Sequence, residues 1–112
     1  MAAATIEAAT FKALQDTAGR EFVGELVGTF LEEAPGMVGE LKTSLAARDA
    51  EKFRRVAHSL KSNGLTFGAL GLAAMARELE LGGLEHAAKA GLEPIAAEYA
   101  RVAAALEEQR HA

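Results

Sequence analysis

The chain of 112 residues contains no cysteine and no tryptophan, and only two prolines. Without cysteine it can form neither disulfides nor thiolate metal sites, and nothing ties it to an oxidising compartment. No apolar run approaches the roughly 20 residues that cross a bilayer. The residues from Met1 to Thr5 also lack the cluster of positive charge that opens a signal peptide. We therefore expect a cytoplasmic protein that does not enter a membrane.

Basic charge and β-branched runs are also scarce. The chain has 12 basic and 16 acidic residues, a formal net charge of −4. Proteins that bind nucleic acid need a dense basic surface to neutralise phosphates, so we expect no nucleic-acid partner. The apolar residues are mostly alanine and leucine, which favour helices. The composition predicts an all-α protein, and the length suits a single domain over residues 1–112.

Apolar residues recur with helical spacing in five segments. The helices are predicted at about 7–17, 20–47, 50–67, 70–81 and 84–109. Pro35 falls inside the second segment, but the apolar stripe resumes in phase beyond it, which predicts one long kinked helix. That stripe comprises Phe22, Leu26, Phe30, Met37, Leu41 and Leu45. Gly82 and Gly83 predict a turn, and Gly91 and Pro94 predict a kink or a break early in the last helix. Short connections between amphipathic helices indicate an antiparallel four-helix bundle, with the short N-terminal helix covering one end.

His58 lies on the polar side of the third predicted helix. Each helical residue advances by about 100°, so the apolar positions of this helix fall between roughly 160° and 260° from His58. These positions are Phe53, Val56, Ala57, Leu60, Gly64 and Phe67. A histidine that merely filled the core would lie among them. His58 is therefore expected to face solvent in the middle of a helix.

Three basic residues lie one helical turn from His58: Arg54, Arg55 and Lys61. Nearby positive charge disfavours imidazolium and so favours the neutral, nucleophilic ring. The same cations could attract a phosphoryl group bound to the ring. Charged residues beside an exposed histidine are nevertheless more often an ordinary solvated surface. The geometry alone permits phosphoacceptor chemistry without establishing it.

The remaining residues around His58 argue against a metal site. Ser62, at i+4, is small and leaves the ring uncrowded, and Leu65, at i+7, is an apolar residue on a polar face. Neither histidine nor carboxylate stands at i±3 or i±4, where a helical pair of metal ligands would be. His86 and His111 are expected to be plain surface residues. We therefore expect no metal ion.

The segment from Ala57 to Gly68, AHSLKSNGLTFG, resembles the signature of histidine-containing phosphotransfer domains. In this resemblance His58 is the phosphoacceptor, Lys61 the supporting cation and Ser62 the small residue, and Phe67 and Gly68 close the motif. The small position is most often glycine in the family, and the serine hydroxyl here could bond the backbone or touch the phosphoryl group. The likeness extends over nearly the whole chain, including the long second helix and the run of residues 77–80.

The resemblance implies a phosphoryl carrier in a two-component phosphorelay rather than an enzyme. His58 would accept phosphate from a receiver-domain aspartate or a kinase and pass it to a response regulator. The implied partners are response-regulator receiver domains and a sensor (hybrid) histidine kinase, with docking residues Arg54, Arg55 and Leu65. The receiver would supply the aspartate and magnesium, so the chain needs no cofactor of its own. The sequence agrees, because it contains no glycine-rich phosphate loop.

Two other classes of protein also present a histidine on a helix or a bundle of this kind. A histidine-kinase dimerisation domain usually has an acidic residue directly after the histidine and a proline five positions on, where this chain has Ser59 and Asn63. The other is a helical bundle that docks a receiver, or is purely structural, without phosphotransfer. Sequence cannot separate docking from transfer. A monomer is expected, because no spare apolar stripe is evident.

Overall fold

The computed structural model describes residues 5–110, which form five α helices without a strand. The helices are Ala8–Ala18 (α1), Arg20–Ala46 (α2), Ala50–Phe67 (α3), Leu70–Ala90 (α4) and Glu93–Arg110 (α5). They enclose one core of apolar side chains contributed by all five helices. The prediction of an all-α helical bundle is confirmed.

The N-terminal segment is fastened to the end of α3. The Glu7 amide donates a hydrogen bond to the Gly68 carbonyl oxygen at 2.8 Å, and Ile6 and Phe11 are buried in the core. Gly68 ends α3 with a left-handed conformation, φ +79°. A Cβ atom at this position would lie 3.0 Å from both the Glu7 carbonyl oxygen and the Thr10 Cβ. Glycine is therefore required both by the backbone conformation and by the close approach of the chain. Helix α1 covers this end of the bundle, as predicted.

Helix α2 is one continuous helix that contains Pro35, but its buried face is displaced from the predicted one. Val23 and Val27 are buried, whereas Phe22 is 51% exposed and Leu26 is only partly buried. The prediction for Phe22 is therefore wrong. A residue seven positions before Phe30 lies about 20° from it around the helix, but one eight positions before lies about 80° away. Position 23, and not 22, consequently shares the direction of Phe30.

Helices α3 and α4 pack closely around Gly64. A Cβ atom at this position would lie 3.1 Å from the Ala69 carbonyl oxygen and from the Ala73 nitrogen. Farther from the connection between the two helices, His58 on α3 contacts Glu80 on α4. Residue numbers therefore decrease along α3 in the direction in which they increase along α4. The two helices therefore run antiparallel with their backbones near each other, which determines which residues meet across their exposed edge.

The end of α4 differs from the prediction. Gly83 has non-helical angles, φ +68° and ψ −159°, but helical structure continues on its far side to Ala90. The predicted turn at residues 82–83 is thus a kink in α4, and the first turns of the predicted helix 84–109 belong to α4. The chain breaks at Gly91, φ +79°, where a kink or a break was predicted, because glycine adopts this conformation without strain. Pro94 is the second residue of α5, where its missing amide hydrogen removes no helical hydrogen bond.

Candidate functional site

His58 faces solvent because the opposite side of α3 is buried in the core of the bundle. Asp49 caps its start by accepting a hydrogen bond from the Lys52 amide at 3.1 Å. The six buried residues are the six predicted ones, Phe53, Val56, Ala57, Leu60, Gly64 and Phe67. The His58 side chain, on the other side, is 55% exposed. The predicted exposure of this histidine midway along a helix is therefore confirmed.

A carboxylate on α4 joins the two principal residues of the α3 signature. His58 Nδ1 lies 2.8 Å from Glu80 Oε2, and Lys61 Nζ lies 2.8 Å from Glu80 Oε1. Glu80 is well covered, with 14% of its side chain exposed, and Lys61 is 24% exposed. The close packing of α3 on α4 brings the three groups together. We call them the His58–Glu80–Lys61 cluster.

The electrostatics of this cluster determine the direction of the histidine hydrogen bond. Hydrogen bonds from Lys61 and from His58 lower the pKa of Glu80 below its ordinary value, against the opposing effect of desolvation. Glu80 is therefore ionised near neutral pH, and an ionised carboxylate can only accept hydrogen bonds. His58 Nδ1 must then be the donor. In the neutral form of the ring the lone pair then lies on the other nitrogen, Nε2.

Glu80 was not among the predicted site residues. The charged residues predicted one turn from His58 are all cations, whereas the group that contacts the ring is an anion, and the charge of Lys61 is paired with that anion. One signal could have revealed it. When a tight connection joins two antiparallel helices, residues that lie a similar number of positions before and after it in the sequence are neighbours in space. His58 and Glu80 are placed in this way around Gly68.

The other predicted site residues lie around the cluster at the surface. Ser62, Arg54 and Leu65 are exposed on α3, with Leu65 51% accessible. Arg55 is also exposed, and it borders a groove between α2 and α3 that Met37, Glu40, Lys52, Val56 and Ser59 complete. The exposed face of α3 thus combines an imidazole ring, positive charge and an apolar side chain.

The two remaining histidines do not join this cluster. His86 is partly buried and lies against Gly82, where a Cβ atom would be 2.5 Å from the His86 Cβ. His111 lies outside the described residues. Within residues 5–110, no three histidine, cysteine or acidic side chains are grouped so that they could hold a metal ion. No helix in that range is both long and apolar enough to cross a membrane.

A solved structure shares this architecture over nearly its full length. The histidine-containing phosphotransfer protein B of Pseudomonas aeruginosa PAO1 superimposes with a TM-score of 0.86 and 27% identity, over 98% of this chain and 97% of that one. The helical bundle with an exposed histidine therefore defines a protein of the phosphotransfer class. The family model of the Hpt domain matches residues 25–112, and the chain belongs to the Hpt domain family. Comparison with curated proteins found no match. The protein is a phosphoryl carrier of a two-component phosphorelay, and Hpt domains are phosphocarriers rather than catalysts.

Proposed function

We propose that His58 is the residue of this carrier that holds the phosphoryl group, and that Nε2 is the nitrogen that bonds it. One observation carries the proposal. His58 is exposed in the middle of α3, while its Nδ1 is occupied by Glu80. A docking partner can therefore reach only the second ring nitrogen without breaking the cluster.

The chemistry needs little from the carrier itself. The Nε2 lone pair attacks the phosphorus of an aspartyl phosphate, the P–Nε2 bond forms, and the P–O bond breaks with its electrons returning to the aspartate. Transfer to the next receiver is the same exchange in reverse. We propose that the partner receiver catalyses both directions with its own aspartate and a magnesium ion, which stabilises charge on the transferring group. On this proposal the carrier has no cofactor of its own.

Two residues next to His58 would support the phosphoryl group. Lys61 lies one turn further along α3, and its ammonium is already part of the cluster at 2.8 Å from Glu80 Oε1. A phosphoryl group on Nε2 would add a second anion that this ammonium can approach. Ser62 is exposed and small, so a partner aspartate can approach the ring closely. Substituting a larger side chain at this position would obstruct that approach.

The exposed surface around the cluster would receive the partner. Arg54 and Arg55 supply positive charge on the N-terminal side of His58 along α3. Leu65 supplies an apolar contact on the C-terminal side. Receiver active sites are acidic, so the two arginines complement them in charge. The partners proposed for this surface are response-regulator receiver domains and the receiver or catalytic part of a sensor (hybrid) histidine kinase.

The deciding experiment follows labelled phosphate from a phosphorylated receiver to this protein in the presence of magnesium. We expect the parent and the His86→Gln variant to become labelled, and His58→Gln to remain unlabelled. The label should be lost in acid and retained in alkali, because a phosphoramidate bond has this stability. If the receiver bound the protein but kept its phosphate, the chain would be a docking module and the proposal would fail.

A further inference from the structure

The large apolar side chains that the bundle exposes are concentrated on one part of its surface. Among residues 5–110 they are Phe22, Leu65, Leu70 and Leu81, of which Leu81 is the most accessible at 71%. Phe22 lies on α2, while the other three lie on α3 and α4, the two helices that form the His58–Glu80–Lys61 cluster. Single exposed leucines are ordinary, but a group of them on one face marks a candidate interaction surface.

The exposed leucines of α4 belong to one stripe along the helix. Four exposed residues define it: Leu70, Ala74, Arg77 and Leu81. At 100° per residue they fall within about 60° of one another, over a length of about 16 Å. The buried residues before the kink are centred about 140° away around the helix. They are Leu72, Ala73, Ala76 and Leu79. No spare apolar stripe was expected from the sequence, and this second face, which we call the α4 stripe, corrects that expectation.

The α4 stripe is continuous with the exposed face of α3. Glu80 lies between the buried side of α4 and the stripe, and it reaches across to His58 on the neighbouring helix. Because the two helices run antiparallel, Leu81 lies level with His58, and Leu65 lies level with the first half of the stripe. Leu65 also points out from α3 in nearly the same direction as His58, since seven residues make almost two full turns. The two helices therefore present one surface that contains both His58 and the three leucines.

Arg77 gives this surface a positive charge that the bundle itself does not use. Its side chain is exposed, and it forms no ion pair with any residue that the structure describes. The nearby Lys61, by contrast, is paired with Glu80 at 2.8 Å. Arginine can hold a carboxylate with two parallel hydrogen bonds, so Arg77 is available to an acidic group of a partner.

We propose that the α4 stripe extends the docking surface around His58 and receives an apolar patch of the partner receiver domain, with an acidic side chain of the receiver opposite Arg77. The inference rests on the proposed function of His58. A second copy of this chain seated on the stripe would cover His58 and prevent the exchange, whereas a receiver has to approach this face. Because the stripe is exposed, its side chains can change without cost to the core, so Leu81 and Arg77 are specificity-determining residues for the choice of receiver.

The first test measures phosphate transfer from a phosphorylated receiver over a range of receiver concentrations. We expect Leu81→Gln to raise KM about tenfold, because the receiver loses an apolar contact. The value of kcat should stay the same, because Leu81 touches neither the ring nor the phosphoryl group, and thermal unfolding should confirm that the variant is as stable as the parent. Phe22→Gln removes an exposed apolar side chain from α2 and should transfer as the parent does. An unchanged KM in Leu81→Gln, or an equal rise in Phe22→Gln, would overturn the inference.

The second test concerns the charge of the stripe. Arg77→Gln should raise KM several-fold at low salt and make it less dependent on salt, because screening weakens an exposed ion pair between the two proteins. Lys89→Gln removes an exposed cation from α4 beyond the kink and serves as the matched control. If both variants had the same KM and the same salt dependence, Arg77 would have no specific acidic partner.

The third test separates docking from transfer. Unphosphorylated receiver is added to the ¹⁵N-labelled protein, and the backbone amides of the α4 stripe should shift together with those around His58. Shifts confined to α2 and α3 would overturn the inference. If the stripe shifted but His58 took no phosphate, the docking surface would stand and the proposed function would fail. If the protein alone self-associated in sedimentation and Leu81→Gln abolished this, the stripe would bind a second copy, and the inference would be wrong.

Discussion

Leu60 and His58 are two residues apart on α3 but on opposite sides of it, so their substitutions should have opposite consequences. Leu60 is fully buried in the core, and His58 is more than half exposed. Truncating a buried leucine to alanine removes its apolar contacts and leaves a cavity, at a cost of about 2–5 kcal/mol. In a domain of this size each kcal/mol lowers the unfolding midpoint by about 4 °C or more, so Leu60→Ala should unfold at least about 8 °C below the parent.

His58→Gln should leave stability almost unchanged, within about 0.5 kcal/mol, because it is a surface substitution to a better helix former. Glutamine can also donate to Glu80, and Lys61 remains as the partner of that carboxylate. The assay pairs thermal unfolding with phosphate uptake from a phosphorylated receiver, at a temperature where both variants are folded. We expect Leu60→Ala to accept phosphate and His58→Gln to accept none. Uptake by His58→Gln, or a loss of several kcal/mol in its stability, would refute the assignment of the two sides of α3.

Three further predictions concern autonomy, access and pH. The isolated protein should take up no label from ATP, and its labelling by a receiver should require magnesium; rapid labelling from ATP in a pure preparation would contradict the carrier proposal. Ser62→Leu should slow transfer on the order of 100-fold, because a displacement of about 1 Å between reacting groups has this effect, while its unfolding midpoint should stay at or above that of the parent. Ser62→Gly should keep transfer and lose about 0.5 kcal/mol of stability, and equal transfer rates in both variants would show that the partner does not dock over this position. Hydrogen bonds from Lys61 and His58 hold the pKa of Glu80 in the folded state below its ordinary value, so its ionisation stabilises the fold at pH values above that ordinary pKa. This stabilisation is lost as pH falls through the lowered pKa. Urea unfolding between pH 2 and 6 should therefore show a smaller loss of stability with acid in Glu80→Gln than in the parent; identical pH profiles would show that the ion pair does not contribute.

The extent to which sequence predicted the structure differs between helices for physical reasons. On α3 the apolar and polar sides are sharply separated, so all six buried residues and the exposed His58 could be assigned from spacing. On α2 two apolar rows lie side by side, one through Phe22 and one through Val23, and hydrophobicity alone favours the larger ring. Only the packing of the bundle distinguishes them, and it selects Val23.

The errors at α4 have other causes. The glycine pair at residues 82–83 predicted the end of a helix, but a single residue with non-helical angles only bends it when the chain beyond can resume the helix. Glu80 could not be assigned a role from its local sequence, since its importance comes from a contact with another helix. His58 and Lys61 were identified from a local motif, and their shared carboxylate required the tertiary structure.

The origin of the cluster from two helices has a consequence for how such a carrier can diverge. Three of the groups proposed to meet the partner, Arg54, Arg55 and Leu65, project from α3, while the carboxylate that accepts the hydrogen bond from His58 belongs to α4. Substitutions on α3 that change the choice of partner need not alter the Glu80 carboxylate on α4. After a gene duplication, two copies can therefore acquire different signalling partners while both keep the same hydrogen bond between the two helices at the histidine ring.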